Sequence, residues 1–273
     1  MKPELLRLHS ENSDFQYLET LGRNRTKRQR AGEFFVEGVR AVTQAVETGW
    51  EVRAMVYSRE QRLSDWAEGM LARSGAARHY ELSLPLMRKL SQKETGSELI
   101  ALVAIPPDDL ARIPVHAHLL AVVLDRPSSP GNLGTILRSC DALGVDGVVV
   151  SGHAADLYDP ETIRATTGSF FHVPAVRVAS SSALHSWLAA LRAQLDRLQV
   201  VGTSAHAPLP IRAFDFTRPT LLLVGNETNG LSDAYQALAD AMVTIPMHGY
   251  ASSFNIASAT SILLYEAARQ REG

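Results

Sequence analysis

From residue 118 onward, short apolar runs alternate with segments of helical period, and this alternation restricts the fold more than any other feature. The runs are 119–125 (LLAVVLD), 147–152 (GVVVSG), 174–178 (PAVRV), 198–205 (LQVVGTSA), 220–225 (TLLLVG) and 241–247 (AMVTIPM). Helical patterns fall at 131–143, near 160–167, at 183–197 and at 253–270. Strand-length apolar runs separated by helices predict a mostly parallel sheet covered on both faces. In such sheets ligands bind at the carboxyl ends of strands, so the loops at those ends carry the functional question.

The first hundred residues predict a smaller α/β unit. Phe34, Phe35 and Val36 form a short apolar strand, and Val39, Val42 and Ala45 then fall on one helical face. A strand at 51–58, a helix at 59–75 and two strands (HYELS, ELIALVAIP) around a short helix at 84–91 complete it. Residues 105–117, IPPDDLARIPVHA, hold three prolines and two adjacent acids. Proline fixes φ and removes a donor, so this stretch reads as a linker. The expected division is 1–104, linker 105–117, and 118–273.

The 273 residues suffice for two modest domains with real cores. No apolar run approaches the roughly 20 residues of a membrane span, and MKPELLRLHSENSDFQ lacks the apolar core of a signal peptide. Cys140 is the sole cysteine, which rules out internal disulfides and multi-Cys metal sites and fits a reducing cytoplasm. The nine histidines are scattered, so no metal is expected. The net charge of −2 gives no overall nucleic-acid signal, but RNRTKRQR places five cations within residues 23–30. This run is either a solvated helix face or an RNA contact.

Three strand-end loops carry unusual residues: LDRPSSPGNLGTILRSC, VGNETNGLS and IPMHGYASSFNIASA. In the first, Asn132 is a candidate helix cap, and Ile136, Leu137, Cys140 and Leu143 form a buried stripe that Arg138 leaves. Arg138 is either a solvated helix residue or one directed back to the strand end. In the second, Glu227 taken alone would be a surface acid, and Gly225 and Gly230 turn formers. In the third, Ser252 or Ser253 can cap the terminal helix, and Asn255 beside Phe254 looks buried.

Taken together, in this order and spacing, the three stretches resemble the signature motifs of the SPOUT superfamily, in its TrmH (SpoU) branch of RNA ribose 2′-O-methyltransferases. Asn132-Leu133-Gly134 with Arg138 corresponds to the first motif, and Gly225, Glu227, Gly230 and Leu231 to the second. Ile245-Pro246-Met247-His248-Gly249 with Ser253-Phe254-Asn255 corresponds to the third. The match covers about 118–270. Phe254 stands where Leu is usual, and Ala257 where Ser is common. The N-terminal segment is similar to the ribosomal-protein-like RNA-binding domain often fused to this catalytic domain.

The resemblance implies an α/β trefoil-knot domain with a mostly parallel sheet, plus the small N-terminal α/β RNA-binding domain. It implies S-adenosylmethionine as cofactor, held by Thr203, Gly225, Asn226, Gly230, Ile245, Met247 and Phe254. It places Arg138, Asn132, Glu227, Ser253 and Asn255 at the reacting centre. RNA would be met by Arg23, Arg25, Lys27, Arg28, Arg30 and Arg164. The expected activity is methylation of a ribose 2′-hydroxyl, with rRNA favoured over tRNA, by a cytoplasmic homodimer. The alternatives are a base-methylating member of the superfamily and a catalytically silent knotted RNA-binding or assembly factor. A dinucleotide-binding enzyme would need a glycine-rich first turn that LDRPSSPGNLG does not supply.

Overall fold

The computed structural model of the chain describes residues 3–91 and 96–272. It forms two compact units. One takes the chain up to Pro106 together with Tyr158–His172, and the other takes Pro107–Leu157 together with the chain from Val173.

The first unit is built on β1 (Glu4–Leu8), β2 (Glu33–Glu37), β3 (Val52–Tyr57), β4 (Arg78–Leu82) and β5 (Leu99–Ala104), in the order β1-β4-β3-β5-β2. β4 runs parallel to β1 and β3, while β5 runs antiparallel to β2 and β3. Its helices are α1 (Ser13–Arg23), α2 (Arg25–Ala31), α3 (Val39–Glu47), α4 (Asp65–Arg73) and α5 (Leu84–Leu90). Phe15, Leu18 and Leu21 of α1 pack on Phe35, Ala54, Val56 and Tyr80 of the sheet. The helix expected at 59–75 begins only at Asp65, where the Ser64 side chain caps it by accepting from Ala67 N. In α3 the buried face is Ala41, Val42 and Ala45, and Val39, expected on that face, is 57% exposed.

The segment Tyr158–His172 carries α7 (Pro160–Thr166) and joins the first unit. Tyr158, Phe170 and Phe171 surround Phe34, with ring centroids 5.0, 5.6 and 6.4 Å away, and Trp50 Nε1 donates to the Phe171 carbonyl at 3.1 Å. Arg28, only 1% exposed, donates to Asp159 Oδ2 at 3.1 Å and to the Leu21 carbonyl at 2.9 Å.

The second unit is a seven-stranded sheet, ordered β10-β12-β9-β11-β6-β7-β8, in which every pairing is parallel. The strands are β6 (Leu120–Asp125), β7 (Gly147–Ser151), β8 (Ala175–Val178), β9 (Gln199–Thr203), β10 (Leu209–Pro210), β11 (Thr220–Val224) and β12 (Ala241–Thr244). The helices are α6 (Pro130–Ala142), α8 (Ser181–Gln194), the short α9 (Asp233–Gln236) and α10 (Ile256–Arg271). Strand alternation puts Ala121, Val123, Leu221 and Leu223 on one face, where Leu184, Leu188 and Leu191 of α8 cover them. Elsewhere in the unit, α6 and α10 pack on each other, with Ser139 and Ser261 hydroxyls 2.8 Å apart.

Residues 107–117, expected as linker, belong to this unit: Ile113 is 1% exposed within its core, and Arg177 binds Asp108 at 2.7 Å. Among the described residues no helix is long and apolar enough to cross a membrane.

Candidate functional site

Strands β9, β11 and β12 are parallel and end on one side of the second sheet, and the loops that follow them enclose a cavity of about 440 Å³. Its walls are Thr203–His206 after β9, Val224–Leu231 after β11, and Ile245, Met247 and Ser252–Phe254 between β12 and α10. Buried strand residues hold the walls in place, while the loops are free to carry polar atoms.

The loop after β11 closes on itself. Asn226 and Gly230 exchange backbone hydrogen bonds of 3.0 Å in both directions, and Asn226 Oδ1 accepts from Thr228 N at 2.9 Å. A Cβ on Gly225 would lie 2.1 Å from the Gly230 carbonyl carbon, and Gly230 adopts φ +63°. Both glycines are therefore demanded by the turn itself.

Glu227 fastens this loop to the one after β6. Its carboxylate accepts from Ser128 N (3.0 Å), Ser128 Oγ (2.8 Å), Ser129 N (3.3 Å) and Asn132 Nδ2 (3.2 Å). Asn132 Oδ1 in turn accepts from Asn255 Nδ2 at 3.1 Å, and Asn255 Oδ1 accepts from Ala257 N at 2.9 Å. A relay Glu227–Asn132–Asn255 thus joins all three loops. Burial works to raise the Glu227 carboxyl, but donors from its own backbone, Ser128 and Asn132 outweigh it and hold the group below the usual carboxylate range.

A second fastening lies beneath. Asp125, 1% exposed, takes a bidentate contact from Arg126 (2.8 and 3.1 Å) and a hydrogen bond from Ser232 N at 2.8 Å. Arg126 has φ +55°, and its carbonyl accepts from Asn226 Nδ2 at 2.7 Å. A non-glycine residue in that region is strained and persists only where its surroundings fix it. Burial raises the Asp125 carboxyl, and the Arg126 and Ser232 donors more than reverse this. The sequence reading missed Ser128, Arg126 and Asp125; the Arg-Pro pair that closes the strand run was the available signal.

Of the expected site residues, Thr203, Gly225, Asn226, Glu227, Gly230, Ile245, Met247, Ser253 and Phe254 line the cavity. Asn132 and Asn255 stand behind it on the relay. Arg138 is exposed on α6 and lies outside the lining. Three local expectations need correction. Ser129, not Asn132, caps α6, accepting from Asn132 N, with Pro130 as the first helical residue. Asn255, not Ser252 or Ser253, caps α10. Asn255 is also exposed rather than buried, its order coming from the Asn132 contact and the cap.

The cations of 23–30 divide. Lys27 and Arg30 are exposed; Arg23 is exposed and paired with Glu19 at 3.1 Å; Arg25 is half-buried. Arg28 is corrected from RNA contact to internal ion-pair partner, since α2 turns its guanidinium inward onto Asp159. Arg164, half-buried on α7, belongs to the first unit with them.

The cavity suits a nucleoside cofactor without phosphates. Its size is within the range of roughly 300–1,000 Å³ for ligand pockets. Apolar walls (Leu231, Ile245, Met247, Phe254) alternate with hydroxyl and amide groups, and among the described residues no Lys or Arg lines it. The Glu227 carboxylate at the wall is compatible with a cationic sulfonium. Among the described residues no group of three or more His, Cys, Asp or Glu stands together to hold a metal.

Residues 119–265 match the model of the SpoU rRNA methylase family, and residues 12–101 that of the SpoU L30e-like domain. The chain is 49% identical, over 98% of its length and 94% of the relative's, to the 23S rRNA (uridine(2479)-2′-O)-methyltransferase of Streptomyces viridochromogenes. It is 30% identical to the 23S rRNA (guanosine(2553)-2′-O)-methyltransferase RlmP of Bacillus subtilis, covering 88% of this chain and 90% of that protein. The crystal structure of the SpoU methyltransferase AviRb from Streptomyces viridochromogenes with the cofactor AdoMet superposes with a TM-score of 0.92 at 49% identity, covering 96% of this chain and 99% of that one.

Proposed function

The chain belongs to the SpoU rRNA methylase family, and on that footing we propose that it transfers a methyl group from S-adenosylmethionine to a ribose 2′-hydroxyl of ribosomal RNA. The observation that carries the reading is the Glu227–Asn132–Asn255 relay, which ties the loop after β6 to the two loops, after β11 and after β12, that wall the cavity. When bound, S-adenosylmethionine supplies the methyl group as a sulfonium electrophile. Thr203, Gly225, Asn226, Gly230, Ile245, Met247 and Phe254 are the groups proposed to hold it, within a trefoil-knotted arrangement of the chain.

Transfer to a hydroxyl is an in-line displacement, so positioning contributes most. The 2′-oxygen needs its developing charge stabilised. Arg138 is assigned that task, holding the substrate phosphate and the forming alkoxide. A guanidinium holds its proton and is a poor base, and Arg138 is exposed on α6. Glu227, Asn132, Ser253 and Asn255 hold the loops that meet the ribose. The chain acts as a homodimer through the paired helices α6 and α10. These present exposed Arg138 and Tyr265 to a second copy, whose cavity Arg138 completes. RNA is gathered by Lys27, Arg30, Arg23, Arg25 and Arg164, in the compartment that holds ribosomes, the cytoplasm.

The test combines calorimetry with S-adenosylmethionine and mapping of nuclease-resistant 2′-O-methyl sites in rRNA, with and without the protein. Arg138→Ala should abolish transfer while cofactor affinity stays at the wild-type level. Absence of cofactor binding would leave a silent RNA-binding factor instead, and methyl groups found on bases would overturn the ribose assignment.

A further inference from the structure

Residues 248–255 are exposed without interruption, between cavity-lining Met247 and the α10 cap Asn255. Tyr250 stands fully in solvent within this run, and its relative exposure of 110% is the highest of any large hydrophobic side chain described. Its neighbours Gly249, Ala251, Ser252 and Ser253 are small, and a Cβ on Gly249 would meet nothing within 4 Å. Neither side of the ring is crowded. Among the described residues of the second unit, the other exposed large hydrophobics are Val115, Phe254 and Tyr265, so two of the four lie on this loop at the rim of the cavity.

An aromatic ring held in water beside a reaction centre has no packing purpose within its own chain. A protein partner would need a contiguous patch of roughly 800 Å² per side, and the residues flanking Tyr250 are small or polar. A single planar partner needs only one ring face. The acceptor nucleotide presents such a partner. To bring its 2′-oxygen to the cavity it has to leave its helix, and a splayed base regains its lost stacking on an aromatic side chain.

We propose that Tyr250 is the platform on which the base of the target nucleotide stacks while its ribose enters the cavity. This rests on the RNA ribose methyltransferase reading above. Phe254 faces the cavity as part of its lining, so the two aromatics divide the work, Phe254 toward the cofactor and Tyr250 toward the base. Stacking is tolerant of base identity, so Tyr250 contributes affinity and registration, and sequence choice lies elsewhere.

The test uses the full-length protein and a transcript of the 23S rRNA segment spanning the nucleotide that the wild type methylates. Tyr250→Ala should raise KM for this RNA about ten- to a hundredfold, the range stacking of one base commands. Its affinity for S-adenosylmethionine should stay unchanged. Tyr250→Phe and Tyr250→Trp should stay near wild type, and the indole emission of the Trp variant should be quenched on binding. The same transcript made abasic at the target should bind the wild type more weakly by a similar factor, yet cost Tyr250→Ala nothing further. Equal losses for both proteins on the abasic RNA would overturn the proposal, as would an unchanged KM in Tyr250→Ala. Conversion of the Tyr250→Ala protein to a smaller oligomer in sedimentation would also overturn it, giving the ring to a second copy. If the wild type methylates no ribose at all, the underlying reading fails first, and is seen to fail without any variant.

Discussion

At the residue scale, Glu227 carries more of the site than its chemistry suggests. Its carboxylate collects three kinds of donor, from backbone, hydroxyl and amide, at Ser128 and Asn132 after β6. Replacing it by glutamine keeps the shape but turns one acceptor into a donor facing Ser128 and Asn132. Hydrogen bonds to a charged group contribute about 1.5–3 kcal/mol when buried. The half-buried setting of Glu227 reduces that to about 1–2 kcal/mol. Glu227→Gln should therefore weaken S-adenosylmethionine binding about five- to thirtyfold in calorimetry at pH 7. The pH dependence has a definite sign. A carboxyl held below its unfolded value of about 4 contributes stability above that value and loses it as pH falls through its own lower pKa. Wild-type cofactor affinity should thus keep this contribution down to about pH 4, whereas the Gln variant should lack it at every pH. Undiminished affinity in Glu227→Gln at pH 7 would show that the loops stay closed without this fastening.

At the scale of elements, α2 shows what a charge run conceals. RNRTKRQR reads in one dimension as a single patch, but helical period separates its members, and Arg28 falls inward while Lys27 and Arg30 stay outside. Lys27→Ala with Arg30→Ala should lower RNA affinity and reduce the slope of log K against log salt by up to about two, with the melting temperature unchanged. Arg28→Ala should do the reverse. It leaves Asp159 without its partner, should cost about 1–3 kcal/mol because that carboxylate is a third exposed, and should leave the salt slope alone. Equal effects of the two substitutions on the salt slope would restore Arg28 to the RNA face. The same contrast runs through the rest of the chain. Strands β6, β7 and β11 are legible because each is an apolar run buried on both faces, and β9 because its centre is. β1 was not, because ELLRL lies at a sheet edge with most of its residues partly or fully exposed. Helix caps were misassigned by a few residues because Ser129, Asn132, Ser252, Ser253 and Asn255 are all capable of capping, and tertiary contacts chose among them. Residues of the second and third motifs line the cavity and the first stands behind it, but the Asp125–Arg126 fastening depends on a backbone conformation that composition does not announce.

At the scale of the whole molecule, the boundary between units does not follow the order of the chain. The proline-rich stretch at 105–117 marks where the first unit is left, yet most of that stretch packs into the second, and Tyr158–His172 returns to the first. Nothing in the sequence around Tyr158 signals the return, since its aromatic residues are ordinary core types whose partners lie more than a hundred positions away. The consequence is testable. Without residues 158–172, a fragment of residues 1–106 loses the rings that bury Phe34, the acceptor of Trp50 Nε1, and the carboxylate that neutralises buried Arg28. Burying each aromatic side chain contributes about 1.5–3 kcal/mol, so three of them amount to about 5–9 kcal/mol as an upper bound. Small domains have only about 5–15 kcal/mol in total. The fragment should therefore lack a cooperative thermal transition and show weak near-ultraviolet ellipticity, while the full chain shows both signals intact. Supplying 158–172 through a flexible linker after residue 106 should restore the transition. A fragment of 1–106 that melts cooperatively with a native near-ultraviolet spectrum would mean that α1, α5 and the sheet suffice, and that the returning segment is held by the first unit without supporting it.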